Sequence, residues 1–181
     1  MTLPLPQQLW PWEEKTIPPD NYHATGLPLS ATFWSLLGIA LLLTWLTEPH
    51  AVFVWLAIPV IARLAALDLC LRVLPHIYTG TLLLIGIIIH PLVALMGLAL
   101  AGALLLFTWG LARLFQPGQP VCGGGDVVLI LALGAWLGPF SLPLALLLAG
   151  ILHAVALLIL RTRPLPFGPA LLISLLVFIW L

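Results

Sequence analysis

Apolar residues in this chain run in long unbroken stretches and do not alternate with polar ones. Leucine-rich runs of about 20 residues fit helices that cross a bilayer, whereas a membrane barrel needs short alternating strands. The first run, Leu27 to Thr47, ends at Glu48-Pro49-His50. The second, Ala51 to about Leu71, carries Pro59 as a kink position and the charged Arg63 and Asp68, and Pro75 breaks the chain after it. Ile77 to Ile89 is apolar but short; His90-Pro91 follows, then Leu92 to Leu114. One helix over Ile77 to Leu114 would be about 57 Å long, too long for a single crossing, so the pattern predicts a split at Pro91. A polar loop covers Arg113 to Val121. The fifth run starts at Asp126 and ends near Gly138-Pro139, the sixth is Leu142 to Leu160, and a short seventh is Phe167 to Leu181. The expected fold is an all-α integral membrane bundle of about seven (six to eight) transmembrane helices. Residues 1–26, with five prolines and with Trp10 and Trp12, read as an irregular cytoplasmic or interfacial tail, and residues 27–181 as one transmembrane domain.

Composition agrees with that pattern. The 181 residues are 62% hydrophobic and 7% charged, against roughly 25% charged in a soluble domain. There are too few polar side chains to cover a water-facing surface, so the lipid bilayer is an expected partner. Net charge is zero and no basic cluster occurs, which argues against nucleic acid as a partner. The N-terminus, with Lys15 beside Glu13 and Glu14, lacks the compact apolar core and cleavage site of a secretory signal. The two cysteines, Cys70 and Cys122, form no CxxC pair, so no tetracysteine zinc site is expected, and no metal or cofactor is invoked.

Basic residues set the expected orientation. Lys15 precedes span one, Arg72 follows span two, Arg113 follows span four, and Arg161 and Arg163 follow span six. All fall on one side, the one exception among the basic residues being Arg63, which lies inside a span. The other side receives Glu48, His50, His90 and the Gly138 to Ser141 turn. The N-terminus and the arginine loops are therefore expected in the cytoplasm. Small residues at four-residue spacing, Gly134 and Gly138, Gly97 and Ala101, Ala145 and Ala149, predict close helix packing.

From Asn21 onward the chain has only three acids: Glu48, Asp68 and Asp126. An acid dragged to the centre of a membrane helix costs roughly 2.5–3.5 kcal/mol, so intramembrane acids mark functional sites. Asp126 follows Val121-Cys122-Gly123-Gly124-Gly125, and glycine is a poor helix former. The topology puts Asp68 and Asp126 at similar depth, near the cytoplasmic face. Two carboxylates that meet in a dry site share one proton; the ionised one can then act as base on water while the protonated one polarises a carbonyl. Structural readings of the same residues stay open. Asp126 fits a helix N-cap, and Asp68 fits an i,i+4 pair with Arg72. Cys70 and Cys122 read as small core-like thiols, His153 as a bundle hydrogen-bonder, and His50 and His90 as interfacial.

Gly123-Gly124-Gly125-Asp126 resembles the GxGD signature of intramembrane aspartyl proteases, and its continuation Val127 to Gly138 resembles the span that follows it in type IV prepilin peptidases. Asp68, then Leu74-Pro75-His76 and Thr79, is similar to that family's first aspartate motif, with His76 where asparagine is usual. Pro166-Phe167-Gly168-Pro169 resembles its last span. Val128 departs from a lysine frequent in the family. The resemblance implies an aspartic-type endopeptidase of the bacterial inner membrane that removes the short basic leader of type IV pilin-like precursors. It implies Asp68 and Asp126 as catalytic residues, Gly123, Gly124, Gly125, Pro75 and His76 around the substrate, and, as in the shorter members, no methyltransferase activity. Two other readings use the same acids: a small membrane transporter or ion-relay component, and a catalytically idle pilus or secretion assembly factor.

Overall fold

Proline and glycine divide the apolar sequence into helices. A computed structural model describes residues 29–47, 52–115, 123–160 and 166–180. The N-terminal tail, Glu48, His50, Cys122, Arg161 and Arg163 lie outside the described residues. The helices are α1 (Leu29–Thr47), α2 (Val52–Leu71), α3 (His76–Ile89), α4 (Pro91–Phe115), α5 (Gly124–Leu160) and α6 (Gly168–Trp180). Among the described residues the architecture is all-α. Three helices are long and apolar enough to cross a membrane, over Val54–Leu71, Pro91–Phe115 and Gly124–Ile159.

The expected boundaries have local causes. Pro75 is extended (φ −63°, ψ 130°) and stands before α3. Its carbonyl accepts from the Tyr78 and Thr79 N–H groups at 3.1 and 3.3 Å, and the buried Thr79 hydroxyl also donates to it at 3.4 Å. Pro91 opens α4, so the predicted split is present, with His90 as the single linking residue. Proline suits a first helical position because its missing N–H would have no intrahelical partner there. The helix α2 runs on through Pro59.

The helix count differs from the expected seven spans. The fifth and sixth runs join as α5, which is helical on both sides of a break at Gly138 (φ 67°, ψ −174°). That backbone region is nearly reserved for glycine. Without a break, a 37-residue helix would be about 55 Å long, well beyond a bilayer core of roughly 30 Å. The chain turns at the predicted place, Gly138-Pro139, and resumes helical geometry at once without a loop.

Burial divides the bundle. The helix α2 is its centre, with Ile58, Leu64, Leu67 and Leu71 fully enclosed, and it packs against α1, α3 and α6. In contrast, Leu92, Leu95, Leu106, Phe107 and Leu114 of α4 are exposed, as suits a helix facing lipid. Apolar burial does not drive helices together in lipid, so close packing and polar contacts must. The α4–α5 seam shows the first. A Cβ on Gly97 would overlap the Gly134 carbonyl and stand 2.9 Å from the Gly138 Cα, so the expected small-residue contact is present. Trp136 shows the second, its Nε1–H donating to the Leu82 carbonyl of α3 at 2.7 Å. Between α1 and α2, the buried Arg63 guanidinium lies over the Phe33 ring at 5.4 Å, and the Cys70 thiol donates to the Thr32 hydroxyl at 3.6 Å.

The α4–α5 seam is testable with one pair of variants. Gly97→Ala is expected to destabilise the detergent-solubilised protein by about 1–3 kcal/mol through overpacking. Gly102→Ala, where a Cβ meets nothing within 4 Å, is expected to be neutral or stabilising. The check is thermal unfolding in micelles; equal melting temperatures for the two variants would contradict the close approach.

Candidate active site

Asp68 and Asp126 both lie at ends of apolar helices. Asp68 is in the last turn of α2 and is 5% exposed. Asp126 is in the first turn of α5 and is half-buried. The Gly123 carbonyl accepts from the Val127 N–H at 3.2 Å, which makes Gly123 the cap of α5. The N-cap reading of Asp126 is thereby corrected: the glycines extend the helix toward its N-terminus, and Asp126 sits inside the first turn. A carboxylate there still meets the positive end of the helix dipole.

The chain between α2 and α3 brings these ends together. Arg72 leaves α2 with φ 56°, a left-handed conformation that is unusual for a residue with a side chain. Its N–H still donates to the Asp68 carbonyl at 3.0 Å. Leu74 then lies against the start of α5, where a Cβ on Gly125 would stand 2.6 Å from the Leu74 Cβ and 2.7 Å from its carbonyl oxygen. Only a bare Cα allows that approach. Asp68, Arg72, Leu74, His76, Gly123, Gly124, Gly125 and Asp126 line one cavity of about 380 Å³.

Of the expected site residues all but Pro75 line this cavity. Asp68 and Asp126 are brought to the same cavity and interact electrostatically. A Cβ on Gly123 would stand 3.2 Å from Oδ2 of Asp126. One on Gly124 would stand 3.4 Å from Cε1 of His76. Pro75 is buried behind the cavity wall, where it caps α3 and does not line the space. The expected i,i+4 pair of Asp68 with Arg72 is not a hydrogen-bonded pair: Oδ2 of Asp68 and Nε of Arg72 are both buried and make no hydrogen bond. The left-handed turn takes Arg72 off the helix, so the helical i,i+4 geometry no longer applies. His153, expected among bundle hydrogen-bonders, stands edge-on to the Phe167 ring at 5.2 Å.

Two features were not foreseen. One is the Arg72 backbone, which carries no sequence signal because arginine is not a residue chosen for positive φ. The other is Gly168 at the start of α6, which faces the Asp68 carboxylate. The Gly-Pro pair at a helix start was its available signal.

Two carboxylates in one cavity, at the meeting point of apolar helices, are the groups that acid–base hydrolysis by a carboxylate pair would use. Among the described residues no three His, Cys, Asp or Glu side chains converge as a metal site would need. The chain belongs to the type IV leader peptidase family, whose profile matches residues 51–158. It is 34% identical to a prepilin leader peptidase/N-methyltransferase of Aeromonas hydrophila over 164 residues, covering 81% of this chain and 55% of the relative. Relatives of the same name from Legionella pneumophila (36% identical, 67% of this chain, 47% of the relative) and Neisseria gonorrhoeae (34%, 61% and 42%) are similar. The chain thus spans about half the length of the curated relatives it matches. No solved structure matches it.

The left-handed turn gives a direct test. Arg72→Gly and Arg72→Ala both remove the guanidinium, but only glycine relieves the backbone. Arg72→Gly is expected to be the more stable by about 1 kcal/mol in denaturant titrations of the solubilised protein. Equal stability would mean that no such strain exists.

Proposed function

We propose that this chain is a membrane-embedded aspartic endopeptidase that removes the leader peptide from type IV prepilin-like precursors. One observation carries the reading: Asp68 and Asp126, far apart in sequence, line the same cavity. Family membership and the names of the relatives support the reaction type. The assignment covers only the leader-peptidase half of those names. The ion-relay and assembly-factor readings have no observation that favours them.

The pair holds one proton. The ionised carboxylate takes a proton from water, whose oxygen attacks the carbonyl carbon of the leader peptide bond. The protonated carboxylate gives its proton to the carbonyl oxygen. As the resulting diol collapses, the carboxyl that took the water proton gives it to the departing nitrogen, the other carboxylate takes a proton from a diol hydroxyl, the C–N bond breaks, and the pair again holds one proton. Gly123, Gly124 and Gly125 present bare backbone on which an extended substrate can lie, with His76 at its side. Residues 27–181 form one domain in this reading, and each half of α5 crosses the bilayer on its own, giving seven spans. The arginine distribution supports a cytoplasmic N-terminus and a site near the cytoplasmic face of the bacterial inner membrane.

The test is co-expression of the chain with a prepilin carrying a basic leader, with leader loss read on a gel. The unaltered chain is expected to cleave, and to continue in the presence of a chelator. Asp68→Asn and Asp126→Asn are each expected to lower the rate by about 100-fold or more. Full processing by either variant would sink the acid pair.

A further inference from the structure

We infer that Gly168 is a positioning residue for the Asp68 carboxylate, and that the start of α6 sets where that carboxylate stands. The inference rests on the acid–base reading of Asp68 given above. It comes from the space around Gly168. A Cβ placed there would overlap Oδ2 of Asp68, and would stand 3.1 Å from its Cγ and 3.3 Å from Cδ1 of Leu74. The residue is buried, and its backbone amide faces the Asp68 side chain. Oδ2 makes no hydrogen bond, so contact with the bare Cα of Gly168 fixes the carboxylate on that side. Asp126, Arg72 and His76 are the other charged or titratable groups lining the same cavity. None of them belongs to α6.

This contact is unlike a routine packing glycine. The overlapping atom is a carboxylate oxygen on a short side chain, not the end of a long flexible one, so it cannot swing clear without rotating the acid. Adding one methyl group must therefore either turn the Asp68 carboxylate or push back the start of α6. The first moves an acid relative to Asp126; the second withdraws the surface against which the Asp68 carboxylate stands. A misplacement of about 1 Å at a reacting group can cost up to about 100-fold in rate. Helix propensity works in the opposite direction, since alanine is the better helix former.

The variant is Gly168→Ala in the full chain in membranes, with Gly150→Ala as control because a Cβ there meets nothing within 4 Å. Two readouts are taken. In the prepilin assay, kcat is expected to fall by about tenfold or more with KM little changed, the pattern of an interaction that matters in the transition state. Independently of any substrate, both acids are labelled with a hydrophobic carbodiimide and the adducts quantified by peptide mass spectrometry. The variant is expected to change the labelling rate of Asp68 while Asp126 labels as before; the control changes neither. Unchanged Asp68 labelling would overturn the inference, whether or not the chain cleaves prepilin. An unaltered chain that labels as expected but does not cleave would instead sink the peptidase reading and leave the placement of Gly168 standing. Should Gly168→Ala not accumulate, Asp68→Ala is added to remove the overlapping oxygen. Recovery of folded double variant supports the contact, and failure to recover overturns it.

Discussion

A carboxylate that is 5% exposed at the end of an apolar helix has lost most of its water, and other groups must face it. Around Asp68 those groups come from separate parts of the chain: the amide of Gly168 on α6, the Asp126 carboxylate on α5, and Arg72 across the cavity. Much of the surrounding packing follows. The start of α6 can come close because Gly168 has no side chain. Leu74 fills the space between that helix start and α5, and Gly125 is bare where Leu74 presses on it. The site is thus the place where one helix end and two helix starts are packed against a single connecting loop.

The helix dipoles make this arrangement more than a packing solution. Asp68 sits in the last turn of α2, where the dipole of its own helix presents its negative end. An acid there is unfavourable on its own. The N-termini of α5 and α6 present positive ends to the same region, and Arg72, just past the end of α2, adds a cation where the C-terminal dipole favours one. Asp126 gains directly, standing in the first turn of α5. The two acids therefore have opposite relations to their own helices and rely on each other's surroundings. A long apolar helix such as α5 can therefore carry an acid in its first turn in place of a plain apolar residue.

Much of this was legible in the sequence. Helix boundaries at Pro75, Pro91 and Gly138 follow from what proline and glycine do to a backbone, and the scarcity of acids in an apolar chain singled out Asp68 and Asp126, which line one cavity. Gly97 and Gly134 each stood out by small-residue spacing on their own helices, and the structure packs them against each other. Other features depend on tertiary geometry alone. Nothing local to Arg72 announces a positive φ, because the loop is held there by its neighbours. Pro75 stands before α3 and does not line the cavity, and its extended carbonyl collects three donors. Gly168 could be read as a helix start, but its reason for being glycine lies in a side chain a hundred residues earlier.

The surroundings of the two acids also differ in a way that bears on access. Asp68 is enclosed by α6, by Leu74 and by the packed interior of α2, and its open side faces the cavity alone. Asp126 is half-buried and is flanked by Gly123 and Gly124, both exposed, with the exposed ring of His76 beside Gly124. A peptide that is to touch both carboxylates therefore arrives over the glycines and not past α6. On that route no side chain at the three glycines keeps a bound backbone at a distance, so main-chain hydrogen bonds can form there. In the proposed reaction a helical segment, which has already used those groups internally, would have to unwind first, and water would have to satisfy the groups released.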